Sequence, residues 1–307
     1  MTNIAKRLLS MTAVSLVLAP AAAWACACGC GVFEVGPNML IPMNMGPTLF
    51  AEYDFMDQAR NWSGTSSAPA SANDDKEIKT NFMTVGGRYM VGENWGITAQ
   101  VPLWNRIFKT DTGSGVATFE HTALGDVRIT AAYSGFSDDM STNVIVGVKL
   151  PTGDYSYAGF DRDTEIGTGS TDILLGLSQT GTITRDGDWT WYGQILWDKP
   201  LLKTAGYTPG SEFDGALGIA YIGIAIGNGL QITPYVQAIG SSRIKDRGMD
   251  ADPPNTGYDR IMLSPGIAIA TDKWKIYADV EFPVYQYMNG DQLVAHQLFK
   301  LAISYNL

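Results

Sequence analysis

The stretch of sequence that decides the fold runs from residue 123 to residue 177 and reads ALGDVRITAAYSGFSDDMSTNVIVGVKLPTGDYSYAGFDRDTEIGTGSTDILLGL. Apolar residues alternate with polar, charged or small ones in three runs, at 127–133, 144–150 and 173–177. Strict period two is typical of a strand whose two faces meet different surroundings. A tight polar turn at 137–141 follows the first run, and a wide glycine-rich loop at 151–169 follows the second. The stretch therefore predicts three strands joined first by a tight turn and then by a long loop.

The same unit repeats from residue 48 to the last residue. The alternating runs number twelve, and five tight turns are interleaved with six longer loops, among them 57–78, 110–118, 245–257 and 288–297. Bacterial outer-membrane barrels combine an even number of strands with short periplasmic turns and long external loops. The sequence therefore predicts an all-β fold: a 12-stranded antiparallel up-and-down transmembrane β-barrel over residues 47–307, with both ends of the barrel in the periplasm.

A soluble sandwich or barrel is the alternative to a membrane barrel. It would place its apolar face inside and its charged face in water. The second face of these strands instead mixes small, aromatic and charged residues of both signs, which suits a narrow, salt-bridged and watered lumen. The residues predicted to line that lumen are Glu52, Asp54, Arg88, Arg106, Asp126, Arg128, Lys149, Asp198, Lys275, Asp279, Glu281 and Lys300.

The first 25 residues have the pattern of a secretory signal peptide. Lys6 and Arg7 precede an apolar run at 8–19, and Ala23-Trp24-Ala25 forms a small-x-small cleavage site. No later run is long and apolar enough for a spanning helix, so the membrane would have to be crossed by strands. We expect a mature chain that begins at Cys26 and lies in the outer membrane.

The net charge of −10 restricts the class of partner. An acidic chain is poorly suited to bind nucleic acid or anionic lipid. The expected partners are the lipid of the outer membrane and an unidentified small molecule, and the expected oligomeric state is a monomer.

The segment 26–46 carries soft metal ligands: Cys26, Cys28, Cys30, Met39, Met43 and Met45. Thiolate and thioether sulfur suit Cu(I) or Zn. Two cysteines one residue apart do not easily form an unstrained disulfide. The alternatives are a disulfide with another chain, lipidation of Cys26, or no role beyond the cleavage site. The segment is expected to form a plug or a periplasmic extension, and the barrel itself requires no cofactor.

Two further groups of residues are candidate sites. The loop from Asp154 to Gly169 contains Asp161, Arg162, Asp163 and Glu165, which could cap the pore or bind a cation such as Ca²⁺. The simpler and favoured expectation is a solvated loop with one or two surface ion pairs. A phospholipase barrel would need a histidine beside a serine and an orienting Asn or Asp. No such pattern surrounds His121 or His296, so the sequence predicts no enzyme.

Three motifs carry a resemblance to a known family. They are Leu-Gly-Asp-Val at 124–127, Lys-Leu-Pro-Thr-Gly-Asp at 149–154 and Ile-Gly-Thr-Gly-Ser-Thr-Asp-Ile-Leu-Leu-Gly at 166–176. The sequence resembles the outer-membrane barrel family associated with the meta pathway of phenol degradation, which is loosely related to long-chain fatty-acid transport barrels. The resemblance implies a monomeric, transporter-like barrel that passes small apolar or aromatic molecules, and it implies no catalytic residues.

The leading hypothesis is therefore an outer-membrane channel or transporter for small molecules, apolar and aromatic ones included. The competing hypothesis is an outer-membrane protein that binds a soft metal or performs thiol chemistry at Cys26, Cys28 and Cys30, with the barrel as its anchor.

Overall fold

The computed structural model describes Val35 and residues 46–204, 206–227 and 229–307. This part of the chain is all β, with two single-turn 3-10 helices at Ala70–Ala72 and Pro253–Asn255. None of its helices has the length and apolar character needed to cross a membrane. Its strands are β1 (Thr48–Gly64), β2 (Ser66–Ser67), β3 (Asp75–Val91), β4 (Trp95–Asp111), β5 (Val116–Leu124), β6 (Arg128–Tyr133), β7 (Thr142–Lys149), β8 (Thr171–Thr182), β9 (Trp189–Leu202), β10 (Glu212–Tyr221), β11 (Ile224–Ile226), β12 (Leu230–Arg243), β13 (Tyr258–Ala270) and β14 (Trp274–Asn306).

Eleven of these strands form one closed antiparallel barrel. The ring runs through β1, β3, β4, β6, β7, β8, β9, β10, β12, β13 and β14, and β14 pairs again with β1. Three strands lie off the ring: β2 pairs with β1, β5 with the far half of β4, and β11 with β12. The predicted closed all-β barrel is confirmed.

The longest strand, β14, has 33 residues and pairs with two neighbours. Its first part, 275–288, pairs with β13, and its second part, 288–306, pairs with β1. The amide of Asn306 donates to the carbonyl oxygen of Lys273 at 2.9 Å, so the two ends of the strand are adjacent. Gly290, with φ +62°, adopts the left-handed conformation that glycine tolerates best. The strand therefore turns back on itself near Gly290, and the ring is not divided into the twelve separate strands predicted.

Two of the predicted loops are wrong. All of 57–64 belongs to β1 and 75–78 to β3, while all of 288–297 belongs to β14. These residues were read as loop because they are polar. However, polar side chains here are buried and bonded within the barrel: the Gln58 amide donates to the carbonyl oxygen of Leu293 at 2.9 Å, and the Asn61 amide to that of Pro69 at 2.9 Å. A change of composition along a strand does not end it when the lumen is polar.

The outer face of the barrel is apolar. Exposed side chains alternate with buried ones along most strands, and large apolar residues dominate the exposed set. Near the tight turns, aromatic rings pair across neighbouring strands, Trp95 with Tyr133 at 5.0 Å and Trp189 with Tyr221 at 5.1 Å. Trp274 and Tyr305 pair in the same way, at 4.4 Å, across the two halves of β14. An apolar band with an aromatic girdle is the surface of an outer-membrane barrel.

Candidate functional site in the barrel lumen

A belt of apolar side chains crosses the lumen. It is contributed by strands from most of the circumference and consists of Met56, Phe82, Trp104, Leu174, Leu196, Ala216, Ile239, Met262, Ala295 and Leu298. Val35 packs against this apolar belt and is only 2% exposed. A point in the N-terminal segment therefore lies inside the lumen, in contact with the wall.

Beside the apolar belt lies a cavity of about 130 Å³. Its apolar lining includes Phe82, Trp104 and Leu196, and the Phe82 and Trp104 rings meet edge to face with their centres 4.8 Å apart. Most of the remaining lining is charged. Seven of the twelve residues predicted to line the lumen border this cavity, namely Glu52, Asp54, Arg106, Asp126, Arg128, Lys149 and Asp198.

One wall of the cavity is a network of ion pairs. Lys149 on β7 contacts Asp172, and its Nζ lies 2.9 Å from Oδ2 of Asp198 on β9. Arg128 on β6 approaches the same Asp198 oxygen at 3.6 Å. These side chains are largely buried, and a buried charge is tolerated when it is paired in this way. Two basic and two acidic groups balance each other on this wall.

A second cluster of polar side chains extends from Glu52, which borders the cavity, and is mostly acidic. Glu52 accepts a hydrogen bond from the Tyr277 hydroxyl at 2.6 Å and lies 3.4 Å from Lys300. Asp279 accepts from the Tyr235 hydroxyl at 2.8 Å. Both side-chain oxygens of Glu281 are buried with no hydrogen-bond partner among the described residues. Lys300 is thus surrounded by more carboxylates than it can neutralise.

Two predicted residues lie apart from this group. Arg88 and Lys275 are half-buried and do not border the cavity. Arg88 donates to the Thr98 hydroxyl at 3.3 Å and pairs with Thr48, the first residue of β1. Lys275 is the second residue of β14. Both therefore lie toward the end of the barrel that carries the tight turns.

Residues 150–170, which we call the lumen loop, fold into the barrel. Arg106 donates to the carbonyl oxygens of Thr164 at 2.6 Å and Glu165 at 3.1 Å. Asp126, in the break between β5 and β6, accepts from the amides of Gly153 at 3.0 Å and Thr168 at 2.9 Å. Two wall residues predicted for the lumen thus hold the loop at both of its ends.

The favoured expectation of a solvated loop is wrong. Ile166 is 3% exposed, and the Phe160 ring packs against Phe108 at 5.5 Å. The expected ion pair forms, with Arg162 Nη1 3.1 Å from Glu165 Oε2, but it lies inside the barrel. The cation-binding alternative also finds no support, since no group of three or more His, Cys, Asp or Glu in the described ranges is placed to hold a metal ion.

Carboxyl groups of the lumen loop are strongly influenced by their surroundings. Burial raises the pKa of Glu165 to about 7, although the Tyr157 amide and Arg162 act in the opposite direction. Burial, together with Asp252 and Asp74, raises the pKa of Asp161 to about 6. Burial and the carboxylates of Asp246, Asp161 and Asp75 raise the pKa of Asp163 well above its ordinary value. The loop therefore carries groups that change charge near neutral pH.

The histidines have separate surroundings. The His121 ring stacks on Tyr157 at 3.7 Å, and its Nε2 lies 3.0 Å from Asp154 Oδ2. His121 thus contacts the lumen loop. His296 is exposed on β14. The predicted metal ligands Cys26, Cys28, Cys30, Met39, Met43 and Met45 lie outside the described residues, and so do the signal-peptide residues 1–25.

Sequence reasoning missed part of the cavity lining. Glu212 and Asp214 are within the first three residues of β10 and Arg243 is the last residue of β12, where the alternation is hardest to assign to a face. Tyr207 lies in a loop, and its hydroxyl donates to Asp246 at 2.6 Å. Asp172, the partner of the lining residue Lys149, could have been found from its place on the alternating inward face of β8.

Solved structures with a similar fold include a channel of the outer membrane. The COG4313 outer membrane channel from Pseudomonas putida F1 superposes with a TM-score of 0.66 at 12% identity, over 89% of this chain and 100% of that one. The beta domain of the Bordetella autotransporter BrkA has a TM-score of 0.50 at 14% identity, over 86% of this chain and 100% of that one. The monoaromatic hydrocarbon channel CymD, with a TM-score of 0.44 at 10% identity over 92% and 98%, is too distant to add to the fold assignment. The chain therefore has the fold of these barrels.

The sequence of the chain identifies its family. The family described as "Putative MetA-pathway of phenol degradation" matches residues 59–296, which is most of the chain. The chain belongs to this family, and the resemblance carried by the three motifs is confirmed. No curated protein sequence matches the chain.

Proposed function

We propose that the protein is an outer-membrane channel that passes small molecules, apolar and aromatic ones included. The observation that carries the proposal is a cavity enclosed by a barrel whose outer face is apolar. Its volume of about 130 Å³ is close to the ~150 Å³ of an engineered protein cavity that binds benzene. The solved barrel at TM-score 0.66 is itself named a channel. Passage needs no catalytic residue, and we assign none.

The finer architecture belongs to the same proposal. The reversal of β14 near Gly290 would give two membrane crossings from one continuous strand, and so twelve crossings in all. An even number of crossings places residues 46 and 307 on the same side of the membrane, the side of the tight turns. With residues 1–25 as a cleaved signal peptide, that side is the periplasm.

The N-terminal segment 26–46 is proposed as a plug. The support is Val35, whose side chain packs against the apolar belt. A segment that fills the lumen at this level would limit the flow of water and ions while the belt offers apolar molecules a surface. A periplasmic extension stays the alternative, since within 26–46 only Val35 and Gly46 belong to the described residues.

A permeation assay tests the channel. Purified protein is reconstituted into liposomes, and isosmotic swelling is followed in benzylurea, a small neutral aromatic solute, and in arabinose, a sugar without an aromatic ring. The expected result is faster swelling than protein-free liposomes show in benzylurea, with a smaller gain in arabinose. Swelling at the protein-free rate in both solutes would overturn the proposal.

The competing function, a soft-metal or thiol-redox protein anchored by the barrel, stays a prediction supported by the spacing of Cys26, Cys28 and Cys30. If the cluster binds metal, the reduced protein should take up about one Cu(I) per chain, because thiolates select that ion. The substitution Cys28→Ser should abolish uptake, while Met249→Leu, a change at an exposed residue, should not. Metal analysis after gel filtration measures this, and a reduced protein that retains neither Cu(I) nor Zn would remove the metal function.

A further inference from the structure

Acidic side chains outnumber basic ones around the cavity. Eight acidic and five basic side chains border it, a formal excess of three negative charges. The acids are Glu52, Asp54, Asp126, Asp163, Glu165, Asp198, Glu212 and Asp214, and the bases are Arg106, Arg128, Lys149, Arg162 and Arg243.

The basic side chains already have partners within the chain. Arg106 donates to the Thr80 hydroxyl at 2.9 Å and to the lumen-loop carbonyl groups. Lys149 and Arg128 share Asp198. The two remaining bases form ion pairs within their own segments: Arg162 with Glu165, and Arg243 with Asp246 at 2.8 Å. The positive charges of the lining are therefore not available to an anion.

Acceptors, in contrast, are left without donors. Asp54 is 3% exposed, and its Oδ1 has no hydrogen-bond partner among the described residues. Both carboxyl oxygens of Asp163 are buried and lack a partner in the same set. A buried acceptor without a donor costs about 1–3 kcal/mol, and more when it is charged. Burial and the neighbouring carboxylates raise the pKa of Asp163, so a positive charge at this position would relieve the repulsion among these acids as well.

Aromatic rings line the same cavity as Asp54 and Asp163. Asp54 on β1 is paired with Phe82 on β3, and Phe82 is paired with Trp104 on β4. Two residues further along β4, Arg106 holds the carbonyl oxygen of Thr164, the neighbour of Asp163. The Phe82 and Trp104 rings thus stand beside Asp54 and below the part of the loop that carries Asp163. Aromatic faces attract both apolar groups and cations.

We propose that this cavity selects organic cations: small molecules in which a positively charged N–H donor group is joined to an aromatic or alkyl body. The donor group would meet Asp54 or Asp163, and the body would pack on Phe82 and Trp104. A metal ion is a poorer occupant, because no group of acids in the described ranges has the arrangement to hold one. The proposal rests on the proposed channel function and names the class of solute that the channel favours.

Three solutes of similar shape test the charge preference. The uptake of benzylguanidinium, neutral benzylurea and anionic benzenesulfonate is measured in liposomes that contain the full-length protein. The expected order of rates is the cation first, the neutral solute second and the anion last. An equal rate for cation and anion, or a faster anion, overturns the proposal. If benzylurea passes under those conditions the channel function stands, whereas failure of all three solutes overturns the channel function as well.

Substitutions in the lining test whether the cavity is the source of the preference for cations. Asp54→Asn and Asp163→Asn keep shape and remove the carboxyl group that would ionise beside a bound cation. Each should lower the cation-to-neutral ratio by roughly fourfold, the Coulomb effect of one charge at ~10 Å in an effective dielectric constant near 40. Asp138→Asn, at an exposed residue of a tight turn, is the matched control and should leave the ratio unchanged. Each variant is compared with the wild type by its migration before and after boiling, which reports the closed barrel. Closed Asp54→Asn and Asp163→Asn barrels with the wild-type ratio would refute the role of this cavity.

Discussion

Val146 and Lys149 stand three residues apart on β7 and meet opposite surroundings. Val146 is 43% exposed on the outer face, whereas Lys149 is 8% exposed and contacts Asp172 and Asp198. The odd spacing puts them on different faces, since side chains alternate along a strand. At the residue scale, a charge destabilises the barrel on the outer face, whereas on the inner face it can form ion pairs that hold neighbouring strands together.

The outward face predicts the effect of a charge at Val146. Val146→Arg should destabilise the barrel by ~2–4 kcal/mol, because a basic group on the lipid face near mid-membrane must be desolvated. Val146→Leu keeps the apolar contact and should be close to neutral. Urea-dependent folding into lipid vesicles measures both, and equal stability of the two variants would show that Val146 does not face lipid.

Because Lys149 faces inward, the barrel should be destabilised by removing its charge and not by adding one. Lys149→Met removes the positive charge between two buried carboxylates, and breaking such a buried pair costs about 3–5 kcal/mol. Lys203→Met, at an exposed loop lysine, is the control and should change little. The same folding assay applies. A Lys149→Met barrel as stable as the control would mean that water, not Lys149, satisfies Asp172 and Asp198.

At the scale of elements, the sequence predicts strands better than it predicts where they end. The alternation in β6 and β7 identifies both strands and their faces, because one face meets lipid along the whole length. In β1 the apolar face stops before the strand does, and Gln58 and Asn61 continue as a polar strand bonded within the barrel. The change from apolar to polar residues therefore indicates where a strand leaves the membrane, and not where its hydrogen bonds to the neighbouring strands end.

The lumen loop is the element that sequence reasoning could not place. Its contacts join residues far apart in the chain, such as Arg106 with Thr164, 58 positions away, and Asp126 with Thr168, 42 positions away. A polar loop with these acids looks solvated until its partners are known. Its glycines carry a signal: a Cβ on Gly153 would lie 2.7 Å from Gly167 Cα, so the two halves of the loop approach as closely as only glycine permits.

The raised carboxyl pKa values predict that docking of the lumen loop depends on pH. In a released loop Glu165 would titrate near 4.5, and in the docked loop it titrates near 7. The docked state therefore binds more protons between these values, so docking is strongest below about pH 4.5 and weakens as pH rises to about 7. Single-channel conductance in planar bilayers should accordingly increase from pH 5 to pH 8.

The matched variant for this prediction is Glu165→Gln, which keeps the shape of the side chain and cannot ionise. Its conductance should vary less with pH than that of the wild type. Asp186→Asn, in an exposed tight turn, should retain the wild-type dependence. A wild-type conductance that is flat or falls between pH 5 and pH 8 would contradict the assignment of the loop as a pH-sensitive obstruction.

At the scale of the whole molecule, closure joins the two ends of the described barrel. Thr48 pairs with Asn306, and the pairing continues through Tyr53 with Leu301 to the far end of β1. A membrane offers no water to an unpaired backbone group, so an open edge at this seam would be costly. The seam between β1 and β14 therefore completes a barrel that the alternation alone could only imply.

Closure predicts how the protein migrates and where it is found. The wild type should fractionate with the outer membrane and migrate faster unheated than boiled, because a closed barrel stays compact in detergent.

Leu301 is exposed on the outer face of β14, so its substitution does not touch the lumen. Leu301→Pro removes an amide donor from the seam and should abolish the fast-migrating band, whereas Leu301→Val should keep it, since only the proline breaks the ladder. Gel migration of both variants checks this. A Leu301→Pro protein as compact as Leu301→Val would show that the barrel is not held closed by pairing of β1 with β14.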